Sequence, residues 1–384
     1  MKVLFFSEEF GSTSFITSQV VQISRCHQVL YICNHRRNYM ISAFEISEIP
    51  FRYSVIATKF RDRLEMHQIY LTFFNPTFGQ RLKREVLEFD PDIIHLQFGY
   101  EALRFIDNFP NPEKVPIIIH FRGYDASQKL SNKAYVRRIE RLLDSSTIYA
   151  ISVSDHLLSN IKKKGIMFRN APWKLHSNTD LSFFSRSNYQ IDNSIFRLIQ
   201  ISSFREKKGH EYTLKALRRY IDYSGDSLIT LTFTGETEGI HYKRIQTIVK
   251  DLGLESFVNF VGFASRNQVR DLLENSHCAV LHSITPSDGD QEGIPNALME
   301  AMAMEMPVIS TYHSGIPELI VENECSILVN EKDIKSYANA IATIRNNWKW
   351  IPENRKIVEQ HFSDVGFIKK LNSIYDHITA NTII

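Results

Sequence analysis

The chain has 384 residues, more than one ordinary hydrophobic core accommodates and a fitting length for two domains. An apolar fraction of 43% with 23% charged residues belongs to a globular protein, and no stretch approaches the roughly 18 to 20 consecutive apolar residues of a membrane helix. The net charge of +2 hides a division near Gln190: 25 Lys+Arg against 18 Asp+Glu up to it (+7), and 20 against 25 beyond it (−5).

In chain order, short β-rich runs come first: VLFFS (3–7), VLYIC (29–33), IIHLQF (93–98), PIIIHF (116–121) and TIYAIS (147–152). Stretches with helical spacing, Gly79 to Phe89 and Asn132 to Leu143, lie between them. Strand and helix in alternation predict a parallel sheet covered by helices on both faces. The pattern restarts with LIQISSF (198–204), LITLTFTG (228–235), VNFVGF (258–263), CAVLHSI (278–284) and PVISTY (307–312), which predicts a second doubly wound sheet. The polar and aromatic stretch Ser177 to Ser194 reads as a linker. After Tyr337 the spacing is helical, with a break at Ile351-Pro352 and a last helix over about 357–378. The expected division is therefore 1–190, 191–350 and a terminal helical segment, 351–384, that packs back on the first domain.

The N-terminal apolar run Val3 to Phe6 meets Glu8 and Glu9 at once, too short for a signal-peptide core, so a cytoplasmic location is expected. The four cysteines form no CxxC pair and predict neither disulfides nor a zinc site. The basic residues of the first half gather in RLKRE (81–85), YVRRIERLL (135–143) and IKKKG (161–165). Two readings stay open for them: solvated helix faces, or a surface for an anionic membrane. Nucleic acid is disfavoured, because no aromatic stacking residues interleave the clusters. After the first strand, EEFGSTSF carries one glycine where a dinucleotide fingerprint needs three, which argues against NAD chemistry.

The densest stretch is DGDQEGIPNALMEAMAMEMPVISTYHSGIPELI, Asp288 to Ile320. Gly293, Ile294 and Pro295 form a loop with the proline at the first helical position, where its missing N–H costs nothing. A compact helix follows, and its free N–H groups near Asn296, Ala297 and Leu298 suit an anion such as phosphate. Glu292 stands before the helix and Glu300 about two turns inside it. A carboxylate accepts paired hydrogen bonds from vicinal hydroxyls, so one glutamate suits a sugar and the other a ribose. Asp288 and Asp290 either contact sugar hydroxyls or keep a loop solvated.

This run resembles the signature of retaining glycosyltransferases of the GT-B fold, family GT4, whose E-x7-E motif matches Glu292 and Glu300. The resemblance extends through EGIPNALMEAMA, PVIST and HSGIPELI, and through PDIIHLQFG (91–99), FRGYD (121–125), AISVSDHL (150–157), REKKGHEYTLKAL (205–217) and VNFVGF (258–263). It is most similar to bacterial exopolysaccharide and lipopolysaccharide transferases of the colanic-acid type. The resemblance implies two facing Rossmann-like domains with a cleft between them. It also implies transfer of a sugar from a nucleotide diphosphate sugar to a glycan or lipid-linked oligosaccharide, with retained anomeric configuration and no metal or other cofactor.

By that resemblance Lys208 binds the diphosphate, Glu292 the donor sugar, Glu300 the ribose, and the backbone N–H groups of Ile294 to Leu298 complete the anion site. Phe263 lies beside the base, and Gly11 lets the first loop approach the diphosphate or acceptor. Two positions depart from the family. Ser203 stands where relatives carry an arginine, with Arg205 the candidate to supply that charge. Arg122 stands where many carry a histidine; it cannot act as a neutral acid or base, so it orients the donor or balances phosphate charge. His120, two residues earlier, reads as a core or loop residue. These departures motivate the alternative of a noncatalytic nucleotide-sugar-binding scaffold; a phosphorylase or epimerase built on the same fold is a further alternative.

Overall fold

The computed structural model describes residues 1–11, 14–36, 43–50, 75–109, 115–187 and 191–382. The chain divides into two compact units: Met1–His176 with Phe367–Ile384, and Ser177–Gly366.

The first unit is a seven-stranded parallel sheet in the order β3-β2-β1-β4-β5-β6-β7. Its strands are β1 (Lys2–Phe10), β2 (Gln28–Arg36), β3 (Glu45–Glu48), β4 (Ile93–Leu96), β5 (Ile117–Phe121), β6 (Ile148–Ser152) and β7 (Trp173–Lys174). Helices α1 (Ser14–Ile23), α2 (Pro76–Phe89), α3 (Gly99–Asn108), α4 (Lys133–Leu143) and α5 (Asp155–Lys163) lie between the strands. Successive strand side chains point to opposite faces, and both faces are apolar: Leu4 and Phe6 enter one core, Val3 and Phe5 the other. Helix starts are chemically marked. The Asn75 side chain caps α2 ahead of Pro76, Asn132 caps α4 and Ser154 caps α5.

The second unit is a six-stranded parallel sheet, β10-β9-β8-β11-β12-β13. Its strands are β8 (Phe196–Ile201), β9 (Ile229–Thr234), β10 (Val258–Gly262), β11 (Cys278–Val280), β12 (Val308–Thr311) and β13 (Ser326–Val329). Its helices are α6 (His210–Ser224), α7 (Gly239–Asp251), α8 (Arg266–Glu274), α9 (Asn296–Ala303), α10 (Ile334–Asn347) and α11 (Pro352–His361). In both sheets the strand order reverses beside the first strand, between β1 and β4 and between β8 and β11. Loops at the carboxyl ends of strands flanking such a reversal are where open α/β sheets bind ligands.

The expected boundaries shift for visible reasons. Residues 177–187 are not a free linker, because Phe184 lies in the second unit's core and Asp180 pairs with Arg266 at 2.9 Å. The predicted terminal helix is two helices. α11 stays with the second unit, where Asn354 Nδ2 donates to the Met306 carbonyl at 2.7 Å and Arg355 Nη1 to that of Ala303 at 2.6 Å. Only α12 (Asp364–Thr382) joins the first unit, setting Phe367, Leu371, Ile374, Tyr375 and Ile378 on one face of its sheet at helical spacing.

Candidate functional site

In the second unit, the loop after β8 ends in a short 3-10 turn, Glu206–Lys208, closed by Gly209 at φ +60°. A Cβ at Gly209 would come within 1.7 Å of the His282 carbonyl oxygen, so only glycine lets this turn lie against the segment after β11. Buried Gln200 holds the turn by donating to the Lys208 carbonyl at 2.9 Å, and the Ile284 N–H donates to that of Lys207 at 2.9 Å.

Both lysines are thereby aimed at the acidic loop. Lys208 Nζ stands 2.8 Å from Glu292 Oε1, and Lys207 Nζ 2.9 Å from Asp290 Oδ2. Asp290 is thus paired with Lys207, and Asp288 accepts the Asp290 N–H at 3.0 Å, which holds the turn that presents Asp290. Glu292 is buried, which alone would raise its pKa; the charges of Lys208 and Lys207, the Lys208 hydrogen bond and His313 reverse this and hold it down at about 2.

The HSG of HSGIPELI explains itself here. The Glu292 N–H donates to His313 Nε2 at 3.1 Å and Ser314 Oγ donates to the Glu292 carbonyl at 2.6 Å. Since Nε2 accepts, the His313 proton sits on Nδ1 and is donated to Glu331 at 2.6 Å. His313 and Ser314 therefore lock the Glu292 backbone, a role that the sequence reading of Glu292 alone missed. Lys207 was likewise overshadowed by its neighbour.

Past Glu292 the chain enters α9, with Pro295 as the residue before the helix rather than its first residue. The N–H groups of Ile294, Asn296 and Ala297 donate no hydrogen bond among the described residues, whereas that of Leu298 already donates to the Pro295 carbonyl at 3.2 Å. The free donors thus exclude Leu298, and the Ile294 side chain belongs to the core beside Gly293. Glu300, half-buried one face along α9, has no hydrogen-bonding partner for its carboxylate among the described residues; desolvation raises its pKa to about 7 against the pull of Arg266.

Phe263 follows Gly262 at the carboxyl end of β10 and is 75% exposed, so it is no core residue. Ser203 and Arg205 are exposed, and neither side chain contacts Lys208 or Glu292 among the described residues.

Gly11 and Arg122 lie in the first unit, at the ends of β1 and β5. Gly11 has φ +85°, a left-handed conformation that glycine adopts without strain; the following two residues of its loop lie outside the described residues. Arg122 is buried, and His120 is wholly so. His120 Nδ1 lies 3.2 Å from His95 Nε2 and 3.3 Å from Arg122 Nη2, and His95 Nδ1 lies 2.7 Å from the Tyr375 hydroxyl. Burial, with Arg122 nearby, lowers the pKa of His95 to about 3 and that of His120 well below its ordinary value. Both are neutral supports for Arg122.

Residues 183–362 match the family model of glycosyl transferases group 1. An Escherichia coli K12 protein named for colanic acid biosynthesis, the glycosyltransferase WcaL, is 30% identical over 222 residues, 58% of this chain and 53% of its own length. This chain thus spans about half the length of that curated relative. Sucrose-phosphate synthase from Thermosynechococcus elongatus superposes with a TM-score of 0.78 over 99% of this chain and 100% of its own at 15% identity. Anabaena Alr3699/HepE in complex with UDP gives 0.75 over 98% and 100% at 18%. These structures share the GT-B arrangement of two Rossmann-like parallel-sheet domains found here. Lys208, Glu292 and Glu300 all fall within residues 183–362, the segment that is similar to the group 1 glycosyl transferases.

Proposed function

We propose that the protein is a retaining, metal-independent glycosyltransferase. In this reading it moves a sugar from a nucleotide diphosphate sugar, UDP-linked in preference to GDP-linked, to a glycan or lipid-linked oligosaccharide in the synthesis of a bacterial cell-surface polysaccharide. The observation that carries this reading is a half-buried Lys208 paired with Glu292, together with the free N–H groups at the start of α9 and the unpartnered Glu300. The leaving diphosphate gains negative charge as the glycosidic bond breaks. Lys208 and the N–H groups of Ile294, Asn296 and Ala297 are fixed donors for that charge, so little reorganisation accompanies bond cleavage. Glu292 accepts from the donor sugar's hydroxyls and Glu300 from those of the ribose. Phe263 offers an exposed ring to the base, and Arg205 an exposed cation near the phosphate turn. In a front-face course the departing phosphate oxygen takes the acceptor's proton, and no covalent enzyme intermediate forms.

Support comes from the relative named for colanic acid biosynthesis and from the UDP complex of the structural neighbour. Among the described residues no helix is long and apolar enough to cross a membrane. Attachment to the cytoplasmic membrane face belongs to the proposal, through exposed Arg137 and Arg141 on α4; Arg138 is instead engaged by Asp107.

The test is thermal unfolding of the protein with UDP, GDP, ADP and their sugar conjugates, beside Glu300→Ala. One base should stabilise the wild type selectively and the variant less. A folded protein that no nucleotide stabilises would contradict the donor site and the transferase reading with it.

A further inference from the structure

Glu292 is held through its main chain as well as by Lys208, and the groups that hold it lead to a residue beyond the long motif. His313 is fully buried, and its Nε2 accepts the Glu292 N–H at 3.1 Å. An imidazole offers that acceptor only while its proton is on Nδ1. The partner of one ring nitrogen sets the state of the other, and here that partner is Glu331, whose Oε1 lies 2.6 Å from Nδ1. The next residue, Ser314, has φ +49°, a left-handed conformation that strains a residue with a Cβ, and its Oγ reaches the Glu292 carbonyl at 2.6 Å.

Glu331 is itself aimed. It follows β13, and its carboxylate accepts the Thr285 N–H at 2.8 Å through Oε2 and the Thr285 hydroxyl at 3.1 Å through Oε1. One carboxylate thus ties together the segments that follow β11, β12 and β13, neighbouring strands of the second unit's sheet. Ile284, beside Thr285, donates its N–H to the Lys207 carbonyl at 2.9 Å, so the segment that anchors Glu331 also holds the lysine turn. Burial alone would raise the Glu331 pKa; the hydrogen bonds from His313 and Thr285 outweigh it and hold it below its ordinary value, so the carboxylate is ionised at neutral pH. Two commoner roles for a glutamate at this place do not apply. Asp333 caps α10 by accepting the Ser336 N–H at 2.9 Å, and no lysine or arginine among the described residues pairs with Glu331.

We propose that Glu331 is a positioning residue for Glu292: anchored by Thr285, it fixes the His313 tautomer, and His313 fixes the Glu292 main chain at the entry to α9. The inference rests on the glycosyltransferase reading above, in which Glu292 and the N–H groups that follow it hold the donor. Every contact in this chain lies within the second unit.

The test is UDP affinity by titration calorimetry on the full chain, with NMR of the unliganded protein beside it. Glu331→Ala should weaken UDP binding about tenfold, the scale of one lost charge-assisted hydrogen bond. The sign separates geometry from charge, because removing a negative charge near a diphosphate would by reduced repulsion alone tighten binding. Glu331→Gln removes the same charge, but its amide oxygen can still accept from Nδ1, and it should restore most of the affinity. His313→Ala should weaken binding to a similar extent, and adding Glu331→Ala to it should cost nothing further, since one residue acts through the other. In the NMR spectrum His313 should carry its proton on Nδ1. Glu331→Ala should move the Glu292 amide resonance while those of the first unit stay in place, which shows that the variant is folded. Unchanged or tighter UDP binding in Glu331→Ala, losses that add in the double variant, or a proton on Nε2 would overturn the proposal. A wild type that binds no UDP would remove the transferase reading, and the Glu292 amide would still decide the positioning: unmoved in Glu331→Ala, it contradicts it.

Discussion

Two sites, one in each unit, handle charge in opposite ways. In that of the second unit, cations meet carboxylates: Lys208 with Glu292 and Lys207 with Asp290. In that of the first, the Arg122 guanidinium is hydrogen-bonded to amide oxygens and a neutral imidazole, and one of its nitrogens is unpartnered among the described residues. A paired charge contributes to its own unit's stability and must be released for a ligand. An unpaired one costs stability.

The largest expected effect is on turnover. On the proposed reading Glu292→Ala removes the sugar contact and leaves both lysines less compensated, and should lower kcat by about 100- to 1,000-fold, the scale of losing one group that stabilises the transition state. Sugar transfer assayed by UDP release checks it, and near-normal kcat would break the account.

Stability sharpens the contrast next. The Glu292 pKa is depressed to about 2, so its contribution is fully present above the unfolded carboxylate range and disappears as pH falls from about 4.5 towards 2. Glu292→Gln should therefore cost of the order of 2 kcal/mol at pH 7. Burial lowers the pKa of Arg122 to about 10, so its charge works against folding below that pH. Arg122→Gln should leave Tm unchanged or raised at pH 7. Denaturant or thermal unfolding of both variants decides, and equal losses would remove the distinction.

Glu300 predicts a smaller, pH-dependent effect. Desolvation lifts its pKa to about 7, so the ionised form that accepts two ribose hydroxyls is depleted as pH falls through 7. UDP affinity should weaken severalfold between pH 8 and pH 6, and Glu300→Gln should bind more weakly with that dependence gone. The sign for stability is the reverse: the protein without ligand gains stability as pH falls from about 7 to 4.5. The smallest effect concerns the surface. Arg137→Gln with Arg141→Gln should reduce binding to anionic vesicles by about 1 kcal/mol per charge; unchanged binding would leave these arginines as solvated helix positions.

Much of this was legible in the sequence. The strand core PIIIHF is buried on both faces and reads as an apolar run, and it is β5 here; LITLTFTG, which alternates buried apolar residues with half-buried threonines, is β9. Short elements at the sheet edges, β3, β7 and β13, were not, because two to four residues carry no period of their own. Glu292, Lys208 and Glu300 stood out through a long motif, whereas the partners that position them did not. His313 and Ser314 lie 21 and 22 residues beyond Glu292, and only the loop after β12 brings them to its backbone. Gln19, Gln97 and His95 are scattered over α1 and β4, and nothing local marks them as the surroundings of Arg122. The linker was misread for a related reason: polar residues at 177–187 mask Phe184, whose burial ties the segment to the second unit.

The most direct test of the donor site is a UDP titration of wild type, Lys208→Ala and Glu292→Gln in parallel. The 2.8 Å pair means that Glu292 and the diphosphate compete for one ammonium group. The account predicts weaker UDP binding in Lys208→Ala and tighter binding in Glu292→Gln, opposite in sign. Weakening in both, or no change in either, would contradict the placement of the diphosphate at Lys208.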